Sequence, residues 1–241
     1  MSLDWSQTEH CFSLLYSIFK FYYTSGACHT LSRVVPSTPV DTSVLVSLLT
    51  NCDDGHRCML PISVHNAQKL SNLRAINVYE MRITSIAPSE RYVALSYVWG
   101  NISIPFLLQA KKDELMKPRG LEGIYAKIPL TIRDAIEFVR RMGLEYLWVD
   151  ALCLVQDDPE DMAMGIEAMG LLYEHSFFTI VAAQGCDADA GLAGVGSRQN
   201  TQLKAEIMPG VTLVGNGVTG NGMGCEEYLE LVTYYGTRAW T

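Results

Sequence analysis

Tyr92-Val93-Ala94-Leu95-Ser96-Tyr97-Val98-Trp99-Gly100 begins as an apolar run and ends on small and polar residues. Glu145-Tyr146-Leu147-Trp148-Val149-Asp150-Ala151-Leu152-Cys153-Leu154-Val155-Gln156-Asp157-Asp158 repeats that layout, and so does Phe177-Phe178-Thr179-Ile180-Val181-Ala182-Ala183. Short continuous apolar runs are the mark of strands buried on both faces, as in parallel sheets. Helical patterns precede the second run and separate it from the third. That order gives an α/β fold, with strands expected at 92–98, 146–149 and 177–183 as parallel neighbours. Strand, helix and strand in this succession make a right-handed crossover. The polar ends of such strands are where open α/β sheets place their sites.

The helices follow from periodicity and end signals. Ile132, Ala135, Ile136 and Val139 fall on one face, Thr131 is placed to cap the helix start with Asp134 three residues on, and Gly143 stops it. A helix is therefore expected at 132–142. Asp157-Asp158-Pro159-Glu160 sets acids and a proline at the start of another, expected at 160–174, with Met162, Ile166, Met169 and Tyr173 as its apolar stripe. Upstream, residues 74–86 alternate as one strand through Ile76, Val78, Tyr79 and Ile83, before a turn at Pro88-Ser89-Glu90. Residues 101–128 read as a long connection, with a helical piece at 111–116 and a loop around Pro118, Gly120 and Gly123. Connections of that length are often functional. After Gly185 the chain reads as Gly-rich and irregular.

The 241 residues carry 49% hydrophobic and 18% charged side chains, a globular composition able to bury a core. A net charge of −8 repels phosphate backbones and argues against nucleic acid as a partner. The seven cysteines are scattered and odd in number, which fits a reducing compartment and a cytoplasmic protein. Cys52, His56 and Cys58 are weak zinc candidates, because a fourth ligand is missing nearby; no metal is expected. Residues 11–23 are apolar, but Asp4 and Glu9 without a preceding Lys or Arg are wrong for a secretory signal. The run is also too short, and broken by Lys20, for a membrane span. Cys11, Leu14, Leu15, Ile18, Phe19 and Tyr22 lie on one helical face, so residues 1–50 read as an N-terminal helix and linker ahead of a domain at 51–241.

Candidate ligand-binding residues sit at the ends of the apolar runs. Ser96, Tyr97, Trp99 and Gly100 close the first, where a hydroxyl and a bare backbone would meet a ribose or phosphate. The plainer reading makes Trp99 core and Gly100 a turn. Asp150 would hold a ribose hydroxyl or act as an acid/base; alternatively it caps the turn that follows. Gln156 either reads a ligand or fixes a loop. Cys153 has no base nearby in sequence and reads as a small buried residue.

Taken together, 92–100, Ile128-Pro129-Leu130-Thr131-Ile132-Arg133-Asp134-Ala135, 146–158, Met169-x3-Tyr173 and 179–194 resemble the heterokaryon incompatibility (HET) domain of filamentous fungi. Cys52-x3-His56-x-Cys58 followed by Leu60-Pro61 is similar to a segment often found upstream in that family. Thr237-Arg238-Ala239-Trp240-Thr241 looks like the start of the family's R-x-W-T-x-Q-E segment, which makes the domain read as incomplete at its C-terminus.

The resemblance implies a three-layer domain with a largely parallel, TIR- or flavodoxin-like sheet. It also implies a role in vegetative incompatibility and cell-death signalling, with protein partners and self-association. Through the distant similarity of HET to TIR domains it implies NAD as a substrate and a glycohydrolase-like ancestry. The family's Asp-Trp-x-x-Glu, whose Glu would match the TIR catalytic position, reads here Asp161-Met162-Ala163-Met164-Gly165. With Gly165 at the acidic position, the resemblance implies a non-catalytic form; Glu160 and Glu167 are poorly placed on the helix to replace the missing group.

Overall fold

The structure, a computed structural model, describes residues 40–43, 45–47, 49–50, 62–182, 185–196, 203–208 and 211–215. The N-terminal helix expected at 11–23, the Cys52/His56/Cys58 group and the terminal 237–241 segment lie outside the described residues. The chain divides into two compact units. One runs from Thr42 to Leu192 and carries a five-stranded sheet; the other holds a two-stranded one.

In the first unit the element order is α1 (Val64–Lys69), β1 (Arg74–Asn77), β2 (Arg82–Ser85), β3 (Tyr92–Ser96), α2 (Gln109–Leu115), a 3-10 helix (Glu122–Lys127), α3 (Leu130–Arg141), β4 (Tyr146–Trp148), α4 (Asp150–Cys153), α5 (Pro159–Glu174) and β5 (Phe178–Val181). The sheet order is β2-β1-β4-β3-β5. The three apolar runs are indeed parallel neighbours: β3 pairs with β4 from Tyr92↔Tyr146 to Ala94↔Trp148, and with β5 from Val93↔Phe178 to Ser96↔Val181. Every β3 residue from Tyr92 to Leu95 is at most 1% exposed, which is why its sequence is apolar without alternation.

The sheet as a whole is mixed rather than largely parallel, because β1 runs antiparallel to both β2 and β4. The single strand expected over 74–86 is two strands. Asn77 folds the chain back: its Oδ1 accepts from the amides of Tyr79 at 3.0 Å and Glu80 at 2.8 Å, an Asx turn, and Met81 follows in the left-handed region at φ 50°. Apolar alternation continued through the turn and concealed it.

Helix α3 keeps its expected stripe, with Ile132, Ala135, Ile136 and Val139 all at 0% exposure, and packs on β3 and β4. Its C-terminus is a Schellman motif around Gly143 at φ 72°, with the Leu144 amide bonded to the Val139 carbonyl and the Gly143 amide to the Arg140 carbonyl. Its N-terminus differs from expectation. Pro129 occupies the cap position and Thr131 lies inside the helix, buried. The free amides are met from far along the chain instead: Asp189 Oδ1 accepts from Leu130 at 2.8 Å and the Ala188 carbonyl from Thr131 at 3.0 Å. Thr131 Oγ1 and Asp134 Oδ2 accept in return from the amides of Gly191 and Leu192, tying 187–192 to the helix.

Helix α5 starts as expected, with Asp158 capping the amides of Glu160 and Asp161 and Pro159 in the first turn. Its buried face shares only Met169 with the expected stripe. Asp161, Ala168, Met169 and Leu172 are buried, while Ile166 is 49% exposed and Met162 and Tyr173 are half-buried. An acid and a glycine occupy the inward face where apolar residues were sought.

The connection 101–128 is a packed wall rather than an open loop. Leu107, Leu115, Leu121 and Ile128 are each at most 1% exposed, and the amides of Arg119 and Leu121 bond the carbonyls of Glu80 and Met81. In the second unit, β6 (Leu203–Met208) pairs antiparallel with β7 (Val211–Gly215), so the stretch after Gly185 is not irregular throughout. Val211, Thr212 and Val214 are β-branched, which favours the strand. No described helix is long and apolar enough to cross a membrane.

Candidate functional site

Strand β3 has β4 on one side and β5 on the other, so the connections run from β3 out to β4 and then back across it to β5. The region outside the carboxyl ends of such parallel strands is the usual ligand position in open α/β sheets. Four of the six candidate residues meet at the carboxyl ends of β3 and β4. Trp99 Nε1 donates to Asp150 Oδ2 at 3.0 Å. Asp150 Oδ1 accepts from the Ala151 amide at 2.7 Å; Asp150 is the first residue of α4, whose cap position is Val149 and carries no side-chain cap bond. Gln156 Nε2 donates to the Asp150 carbonyl at 3.0 Å and the Leu154 carbonyl at 3.2 Å, and so fixes the loop after α4. The Trp99 ring lies 5.2 Å from Phe106, and the neighbouring Leu107 backbone bonds both Ala151 and Gln156.

Tyr97 completes the cluster. It is 3% exposed, and its buried hydroxyl faces the Asp150 carboxylate without a well-formed hydrogen bond to it. Burial first, then the Asp150 charge beside it, hold its pKa well above that of a free tyrosine. A buried hydroxyl whose bond to a neighbouring carboxylate is imperfect retains capacity for a further polar group, such as a ligand or a water.

The other two candidates stand apart. Ser96 ends β3, and its carbonyl accepts from the Ala182 amide at 2.8 Å. Gly100 lies at φ +67° with Asp187 directly against it; a Cβ there would come within 2.3 Å of Asp187 Cβ. Its bareness serves the close approach of 185–188, where the Ala188 amide also bonds the Trp99 carbonyl. Cys153 is fully buried, and burial pushes its thiol up to about 12, so it is not a poised nucleophile.

A second polar cluster went unseen in the sequence. Arg74, 2% exposed on β1, donates from Nε to the Cys153 carbonyl at 2.8 Å, from one terminal nitrogen to Asn72 Oδ1 at 3.1 Å, and from the other to Asp161 Oδ2. Asp161 also accepts from Asn72 Nδ2 and from the Val155 amide, each at 2.7 Å. Burial works to raise the Asp161 carboxyl, but the Arg74 hydrogen bond, the Val155 amide and the Arg74 charge bring it below the usual range. The signal was a lone arginine in the apolar run Leu73-Arg74-Ala75-Ile76; its partner, 87 residues away, had none.

Around this pair opens a cleft of about 180 Å³, bounded by α1, the turn before β1, and α5. Gly165 lines it, and a Cβ there would meet Leu154 Cδ2 at 2.5 Å. The position where an acidic residue was sought is thus closed by packing. Glu160 and Glu167 are exposed, and Glu167 lies at the rim of the same cleft.

The family model described as Heterokaryon incompatibility protein (HET) matches residues 92–241. Among curated proteins, the Heterokaryon incompatibility protein 6, OR allele, of Neurospora crassa is 27% identical over 106 residues, covering 40% of this chain and 15% of that protein. The chain therefore spans only a small part of the curated relative it matches. No solved structure matches.

Proposed function

The chain belongs to the heterokaryon incompatibility (HET) family, and we propose that it acts in fungal vegetative incompatibility as a non-catalytic signalling or assembly module of non-self recognition and cell death. The observation that carries the non-catalytic part is Gly165, packed on Leu154 where a carboxylate would have to stand. The one buried acid of α5, Asp161, is fully engaged by Arg74, Asn72 and the Val155 amide, so it is not available to a sugar ring. A fixed carboxylate facing developing positive charge contributes on the order of 10²–10³ in rate, and this helix offers none.

Protein partners, self-association and a cytoplasmic location belong to the same proposal. Expression in a filamentous fungus tests it: compartment death on fusion of unlike strains should depend on the chain and survive Asp150→Asn. Death that tracks Asp150 would count against a non-catalytic role.

A second reading has one observation in its favour. The buried Tyr97 hydroxyl facing Asp150, at the carboxyl ends of β3 and β4, is the kind of place where a ribose would bind. On that reading the chain is an NAD-cleaving effector. Purified protein incubated with NAD should release no nicotinamide above a blank. Turnover abolished by Asp150→Asn would replace the first reading with the second.

A further inference from the structure

The cleft beside Arg74 is assigned no role by the reading above. Its walls are apolar, formed by Leu70, Leu73, Trp148, Leu154, Ala168 and Leu172, with Arg74, Asn72 and Asp161 at one end. At about 180 Å³ it exceeds the roughly 150 Å³ that suffices for a benzene ring in an apolar cavity. Arg74 and Asp161 neutralise each other, so the cleft presents no net charge to attract an ion. Arginine has five N–H donors, and three are used on Cys153, Asn72 and Asp161. The polar end therefore keeps donor capacity for one neutral acceptor.

The covering element is poorly anchored. Helix α1 itself contributes no buried residue, Val64 on it is 78% exposed, and its hold on the core is the one buried residue that caps it, Leu70. Its Lys69 reaches Glu167 of α5 at 3.8 Å with both side chains exposed, an ion pair worth little. A helix with nothing buried that still walls a cleft opens at small cost. We infer that the cleft binds a single neutral phenol-like ring, its oxygen toward Arg74 and Asn72, admitted by displacement of α1. The ring is either a free small molecule or a tyrosine side chain presented by another protein.

The test is a ligand-observed fluorine NMR titration of the full chain with para-fluorophenol. Saturable binding is expected with a dissociation constant on the order of 1 mM or tighter. Ala168→Leu, which fills the cleft, should weaken it at least tenfold with circular dichroism unchanged. Lys69→Glu, an exposed rim change that sets like charges against each other, should speed dissociation several-fold and serves if Ala168→Leu does not fold. Competition by N-acetyl-tyrosinamide separates the sources: tighter binding than the free phenol points to a protein side chain, weaker binding to a small molecule. No saturable binding by the wild type, or undiminished binding by folded Ala168→Leu, overturns the inference.

Discussion

Asp150 and Asp161 are eleven positions apart after the same strand, yet they live in opposite circumstances. Asp161 is 7% exposed in its side chain, and both its oxygens are held, by Arg74, Asn72 and the Val155 amide. Asp150 is half-buried, accepts from Trp99 and Ala151, and has beside it the Tyr97 hydroxyl, which makes no well-formed bond to it. A completed polar network fixes a fold; an incomplete one leaves capacity for something else. The difference separates what holds β1 to α5 from what is left at the ends of the parallel strands.

The sharpest way to break this comparison is to open the closed side. Arg74→Met leaves Asp161 buried without its counter-charge and should cost about 3–5 kcal/mol, read by chemical denaturation. A loss under about 1 kcal/mol would show that Asp161 is reached by water and that the two acids are alike. Next in size is Gly165→Glu. The first carbon of the new side chain collides with Leu154, so about 1–3 kcal/mol of stability should be lost, with no gain of NAD cleavage. Unchanged stability with new turnover would mean that α5 can present a catalytic acid after all.

Acid titration sharpens the contrast from another side, using Asp134. That carboxyl is raised by burial, against the Leu192 amide and the nearby Arg133 and Arg141, while Asp161 is lowered. A lowered folded pKa gives stability present above the unfolded value of about 3.9 and lost as pH falls through the folded value. A raised one has the opposite sign, costing stability above the folded value and relieving it as pH falls toward about 3.9. Melting curves should therefore show Asp161→Asn flattening the loss below about pH 4, and Asp134→Asn removing a gain above it. The same slopes in both variants would defeat the assignment. The smallest effect is expected at Tyr97→Phe. Removing a hydroxyl that makes no well-formed hydrogen bond should leave stability within about 0.5 kcal/mol or raise it. A loss above about 1 kcal/mol would reveal a partner and close the Asp150 side too.

The parallel half of the sheet was legible because burial on both faces leaves an unbroken apolar run, as in 92–95, and because Gly143 and Asp158-Pro159 are strong local end signals. The antiparallel half was not, since the turn at Asn77 is made by one side chain bonding two amides within an alternation that never pauses. The inward face of α5 was hidden because Asp161 and Gly165 belong there for reasons lodged elsewhere, in Arg74 and Leu154. Of the candidate site, Tyr97, Trp99, Asp150 and Gln156 converge as strand ends should, while Gly100 answers to packing against Asp187.

Cys153 offers a clock inside this arrangement. Its sulfur sits 3.4 Å from the Val149 amide, its own carbonyl is held by Arg74, and its thiol stays protonated up to about pH 12. Alkylating reagents attack the thiolate, so the native molecule should ignore them at this position, while the exposed Cys186 is labelled at once. The slow modification of Cys153, followed peptide by peptide in a mass spectrometer, then counts how often β1, α4 and α5 come apart.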